Sequence, residues 1–246
     1  MVARIAIEHQ RKPLVVVSDI SGAIPEQYQS LSLSPQQVQY AHEVLSELES
    51  VHELLVRESY AAGIAPAVSK LIIDVHENID SPKLFLEQLG DLIILDNSQL
   101  PEREENFRIE EFYIEYHAAL RRILYATQER FGRAYLVYCK KIPRFYKEQE
   151  VPYDIGIVTQ NGFTFAADIA AHIDYKVQQN PGTFYYDVLH GPLQDCFEHG
   201  KVTAVALLIN EKLLRSQAMK EQLALDLATA ISLALPQVVT DYRRNL

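Results

Sequence analysis

The chain is poor in cysteine: Cys139 and Cys196 lie far apart among 246 residues and lack metal-finger spacing. That excludes a disulfide framework and a thiolate zinc finger, and it favours a reducing compartment. Long apolar runs are missing too. The longest strictly apolar stretch, Ala204 to Ile209 (AVALLI), is far below the ~20 residues that span a bilayer. The opening residues, MVARIAIEHQRK, are too interrupted by charge for a secretory apolar region. Positive charge is in deficit, with 23 Lys and Arg against 33 Asp and Glu, a net charge of −10 and a pI near 5.3. The pairs Arg121-Arg122, Lys140-Lys141 and Arg243-Arg244 are too scattered to form a basic stripe. No glycine-rich phosphate loop, nucleophile elbow or Ser-His-Asp order appears. The expectation is a cytoplasmic protein that neither crosses a membrane nor binds nucleic acid.

What is present suits one sizeable α/β core spanning residues 1–246, with 48% of the chain hydrophobic. Ser34-Pro35 reads as an N-cap and a first-turn proline. Val38, Ala41, Leu45, Leu48, Val51 and Leu55 then recur at three- and four-residue steps, which predicts one long amphipathic helix. A second helix is expected from about Glu110 to Arg130, with Gly132 just past its end, and two more over Phe163 to Gln178 and Leu214 to Leu235. Strands are expected near Leu14 to Ser18, Leu71 to Val75, Tyr135 to Tyr138, Ile155 to Val158 and Val202 to Leu208. Their apolar runs lack period-two alternation, as strands covered on both faces do. The alternation predicts a three-layer α/β fold, a mostly parallel or mixed central sheet with helices on both faces. Ser98 to Asn106 reads as a linker. Pro82 to Leu95 (PKLFLEQLGDLIIL) reads as a short helix and a strand, an added packing layer or, alternatively, an interface for a protein partner or a second copy.

Several strand ends carry polar residues in a recurring order. Leu14 to Pro25 (LVVVSDISGAIP) ends four β-formers in a polar turn, and Val68 to His76 (VSKLIIDVH) ends near Asp74. Tyr113 to Leu120 (YIEYHAAL), Tyr135 to Pro143 (YLVYCKKIP), Pro152 to Gln160 (PYDIGIVTQ) and His199-Gly200 follow. In these motifs the chain resembles the N-formylglutamate amidohydrolase family over most of its length. The resemblance implies a zinc amidohydrolase scaffold, with a zinc-binding His where Asp19 stands and another where Cys139 stands. A helical carboxylate completes the family's set, at a position close to Leu45 with Glu43 and Glu47 beside it. It further implies substrate-binding arginines where this chain has Glu77 and Asn210.

Zinc hydrolysis needs three protein ligands, an open position for water and a carboxylate to take its proton. Asp, Glu and Cys are all acceptable ligands, so a rewired set of Asp19, Glu43, Glu47 and Cys139 is chemically coherent; against it, the Lys140 ammonium adjoins Cys139. Without such rewiring no metal or other cofactor is expected. Replacing a carboxylate-gripping arginine by Glu77 repels an acyl-glutamate. The remaining candidates for the ancestral cleft are Ser21, Asp74, His76, His117, Lys140 and His199. His117 reads first as a hydrogen-bonded core residue of its helix, and His190 and His199, which bracket Cys196, as loop histidines.

The expectation is therefore a catalytically degenerate relative retained for ligand binding or protein interaction. The alternative is an active amidohydrolase or deformylase acting on an N-acyl amino-acid-like substrate through the rewired site. Asp19, Asp74 and Cys139 are expected to converge at the carboxyl ends of neighbouring strands, with Lys140 pairing Asp19.

Overall fold

The computed structural model describes residues 2–28, 31–182, 184 and 202–236. His190, Cys196 and the His199-Gly200 pair lie outside them. In chain order the strands are β1 (Ala3–Ala6), β2 (Leu14–Ser18), β3 (Ala62–Pro66), the hairpin β4 (Gln88–Leu89) and β5 (Leu92–Ile93), β6 (Ala134–Ile142), the hairpin β7 (Phe145–Tyr146) and β8 (Gln149–Glu150), β9 (Ile155–Val158), β10 (Val177–Gln179) and β11 (Val202–Asn210). The α-helices are α1 (Pro35–Leu45), α2 (Glu49–Glu58), α3 (Leu95–Ser98), α4 (Glu102–Arg108), α5 (Glu115–Phe131), α6 (Phe163–Ala171) and α7 (Gln217–Ala234). Seven strands form one mixed sheet in the order β1-β3-β2-β6-β11-β9-β10. Its centre, β3-β2-β6-β11, is parallel. On the flanks β1 and β9 run against their inner neighbours, and β10 follows β9.

Side-chain alternation splits the sheet residues between two cores. Leu14, Val16, Tyr135, Val137, Cys139, Val205 and Leu207 face Val51 and Leu55 of α2, Phe165 of α6 and Leu223, Leu227 and Ile231 of α7. Val15, Val17, Leu136, Tyr138, Ala204 and Ala206 face Tyr116, Leu120 and Ile123 of α5 together with the segment Leu71 to Val75. This is the expected three-layer sandwich. No helix among the described residues is long and apolar enough to cross a membrane.

Local expectations fail where apolarity alone was read as extension. Leu71 to Val75 is not a strand: Ser69 accepts the N–H groups of Leu71 at its hydroxyl and of Ile72 and Ile73 at its carbonyl, curling the run into turns. The parallel neighbour of β2 is instead Ala62–Pro66, whose Gly63 leaves room for the side chains of Val56 and His52. The long helix from Ser34 to Leu55 breaks between α1 and α2. There Lys141 takes the Val44 carbonyl and the Glu47 carboxylate, and the Ser46 hydroxyl donates to the Ser21 carbonyl. The expected linker takes in the end of α3 and most of α4, and α4 runs through a π-helical segment, Ile109–Ile114, directly into α5. Buried Arg108 fixes this junction through Ile72 O, Asn97 and Glu104. Gly132, at φ 77°, caps α5 as expected. Pro82 to Leu95 carries the β4–β5 hairpin rather than a helix, and the chain beyond α6 extends as β10.

Candidate functional site

Where β2 ends, the pleat sends neighbouring side chains to opposite sides. Ser18 turns toward α2, sharing a 3.0 Å hydrogen bond with His52 Nδ1, while Asp19 emerges on the α5 side. The Asp19 N–H donates to the Cys139 carbonyl at 2.8 Å, which locks this turn to β6. On β6 the same alternation puts Tyr138 and Lys140 with Asp19, and Cys139 with Ser18. Burial pushes the Cys139 thiol up to about 12, with Ser18 opposing weakly. The two positions at which the resemblance implies zinc ligands, Asp19 and Cys139, therefore adjoin in backbone but point into different layers.

The second half of the site comes from the turns after β3. Ser21 Oγ accepts the Lys70 N–H at 3.1 Å and lies 3.2 Å from Ser69 Oγ, so the two loops are stitched together. Gly22 sits so close to the Ala67 backbone that a Cβ has no room. This stitching delivers the Lys70 ammonium, on a side chain only 8% exposed, into an ion pair with Asp19 and to 3.3 Å from Asp74 Oδ2. Asp74 also accepts the His76 N–H at 3.0 Å. His76 Nε2 lies 3.1 Å from the Tyr116 hydroxyl, and its Nδ1 lies 3.4 Å from Asp19 and 3.9 Å from Asp74 without a hydrogen bond. The Tyr138 hydroxyl is also buried without a hydrogen-bond partner, and its ring lies 5.6 Å from that of His76.

The charges set one another. Burial disfavours the Asp19 carboxylate, but Lys70, then His76 and Lys140, hold its pKa well below 3.8. Burial likewise disfavours the Lys70 ammonium, but Asp19 and then Asp74 outweigh it and raise the pKa above 10.5. Burial lowers the His76 pKa below 6.5 despite Asp19, so the imidazole is neutral at neutral pH. Tyr116 and Tyr138 are pushed upward, first by burial and then by Asp19 and Asp74.

Of the residues expected here, Asp19, Asp74 and His76 come together around Lys70, with Ser21 in the supporting turn. The ammonium paired with Asp19 is Lys70, not Lys140. Lys140 lies 3.5 Å from Glu77 and reaches Asp19 only as a longer-range charge. Glu77 also accepts from Ser81 at 3.2 Å. His117 is a core residue, its Nε2 2.9 Å from the Val75 carbonyl and its ring 4.4 Å from that of Tyr113. Exposed Glu43 accepts from Gln39, Glu47 pairs with Lys141, and Leu45 offers no donor. Asn210 is fully buried, its amide donating to Tyr153 O and its oxygen accepting from the Lys212 N–H. Among the described residues, the ligand-type atoms close enough to hold a metal belong to Asp19, Asp74 and His76, all within 4.8 Å of one another. Lys70 and Tyr138 were not singled out from the sequence. A lone lysine inside the apolar run VSKLIID, four residues before Asp74, was the available signal for Lys70.

Comparison with known proteins bears on the family and the fold. The family model described as N-formylglutamate amidohydrolase matches residues 12–184. Among solved structures the chain is similar to a gene product of Agrobacterium tumefaciens, at 20% identity and a TM-score of 0.78 over 95% of this chain and 94% of that one. It is also similar to the N-formylglutamate amidohydrolase of Ralstonia eutropha, at 16% identity and a TM-score of 0.71 over 94% and 96%. At such identities the likeness to these structures is one of fold. Among curated proteins none matches this chain.

Proposed function

Since this chain belongs to the N-formylglutamate amidohydrolase family, we propose that it is an amidohydrolase-like protein that keeps the family cleft for ligand binding but not the zinc-dependent hydrolysis of N-formylglutamate. The observation that carries this reading is the Lys70 ammonium seated against both Asp19 and Asp74. A cation already neutralises the carboxylates at the turn where the family's first zinc ligand is expected. Bringing a divalent ion beside it sets like charges against each other within a few ångströms in a poorly screened site.

The zinc that the family implies does not fit the inherited positions. Cys139 faces the α2 side, Asp19 faces the α5 side, and Leu45 supplies no donor. Substrate binding points the same way. The place of one carboxylate-gripping arginine is held by Glu77, and that of the other by Asn210, whose amide is consumed inside the fold. The test is metal content after purification without chelator, together with N-formylglutamate hydrolysis with and without added zinc. The expected result is no bound zinc and no turnover; about one tightly held zinc per chain with zinc-dependent turnover overturns the reading.

One observation favours the rival reading of an active amidohydrolase on another N-acyl substrate, namely the unbonded, buried Nδ1 of His76 facing the two aspartates. We further propose a cytoplasmic protein able to self-associate through Pro82 to Leu95, where Ile93 and Leu95 are exposed. Mass in solution tests the latter.

A further inference from the structure

We infer that Asp19, Asp74 and His76 form a divalent-metal site, sharing only Asp19 with the ligand positions the family implies, in which the Lys70 side chain is the resident cation and competes with metal for the same three groups. This rests on the reading that Lys70 neutralises the cleft, and it adds what that lysine holds out.

Two kinds of observation support it. The first is the donor set: two carboxylates and one imidazole with atoms within 4.8 Å of one another, the oxygen and nitrogen mixture that first-row divalent metals accept. The second is independent of the acidic residues. His76 is 2% exposed, yet its Nδ1 makes no hydrogen bond although it points at both carboxylates. Buried polar atoms are nearly always satisfied, so such an atom marks a place for a ligand. The ring is held as a ligating imidazole is held, its second nitrogen engaged by the Tyr116 hydroxyl and its backbone N–H by Asp74. The Tyr138 hydroxyl is a second buried polar atom without a hydrogen-bond partner, on a ring 5.6 Å from that of His76. Lys70 lies where it opposes this arrangement by charge, its ammonium paired with Asp19 and 3.3 Å from Asp74. Neutralising that position while keeping its volume should therefore expose a working site.

The experiment uses the full chain, wild type and Lys70→Met, freed of metal by chelation and titrated with Co²⁺ and then Zn²⁺. Calorimetry reads affinity and stoichiometry, and Co²⁺ absorption reads the ligand field. Lys70→Met is expected to bind about one metal per chain at least ~100-fold more tightly than the wild type, the effect of removing a like charge a few ångströms away. Adding His76→Ala should weaken that binding at least ~10-fold and change the Co²⁺ spectrum. If Lys70→Met is unfolded without metal, zinc-dependent recovery of its circular dichroism supports the site, and no recovery overturns it. A folded Lys70→Met that takes no metal, or whose binding ignores His76→Ala, also overturns the inference while leaving the proposed function standing. Stoichiometric tight zinc in the wild type overturns the proposed function and this inference together.

Discussion

Replacing Asp19 by Asn keeps the shape of the side chain and removes its charge. In the wild type the Asp19 and Lys70 side chains are 12% and 8% exposed, so water screens the pair weakly. Breaking a buried pair on one side costs ~3–5 kcal/mol because the remaining ion is left uncompensated. Asp74 stays 3.3 Å from the ammonium, so the expected loss is at the low end, about 3 kcal/mol. For a chain of this size that lowers Tm by roughly 6–12 °C. Urea unfolding at neutral pH measures it. Lys70→Met alone should cost a similar amount, and the double variant should cost less than the sum by at least ~1 kcal/mol, since no orphaned partner of the pair remains. The pH dependence has a defined sign. Asp19's depressed pKa gives stability that is present above its unfolded value of 3.8 and is lost as pH falls through the folded value. Lys70's raised pKa gives stability that is present below 10.5 and is lost as pH rises through its folded value. The gap between wild type and Asp19→Asn should therefore be flat from about pH 5 to 9 and shrink in acid. An Asp19→Asn variant within ~1 kcal/mol of wild type, strictly additive singles, or a gap that widens in acid would refute the buried-pair account.

Gly22→Ala should cost at least ~2 kcal/mol in urea unfolding, because the new methyl meets the Ala67 backbone, which cannot yield as a side chain can. Fully buried Cys139, with its thiol pushed up to about 12, should resist a water-soluble thiol reagent in native protein and react once denatured. Mass spectrometry of the labelled peptide decides it, and rapid native labelling would place Cys139 in the cleft after all.

The parts of the fold legible in the sequence were those where burial and extension coincide. LVVVS, YLVY, IGIV and VTAVALL are apolar on both faces and became β2, β6, β9 and β11. LIIDV is as apolar but follows Ser69, whose hydroxyl and carbonyl divert its N–H groups into turns, a competition no hydrophobic pattern records. AGIAP carries little strand signal because its residues are small, although close packing against α2 is what calls for them there. The break between α1 and α2 leaves no mark in the hydrophobic pattern, because Val38 to Leu55 keeps period across it. The break depends on Lys141, almost a hundred residues away. At the site, the family resemblance marks Asp19 and Asp74, and their placement at or beside the carboxyl edge of the sheet is what brings them together. Lys140 is the sequence's candidate partner for Asp19 because it follows Cys139 on the matching strand. Lys70 reaches that carboxylate only because Ser21 and Ser69 join two loops that are far apart along the chain.

The measurement that bears most directly on the cation held at Asp19 and Asp74 is zinc per chain in wild-type protein equilibrated with micromolar zinc and then gel-filtered. Lysine occupancy predicts fewer than ~0.1 zinc per chain, because the ammonium already supplies the neutralising charge. About one zinc per chain, surviving filtration and lost in Asp74→Asn, would contradict it.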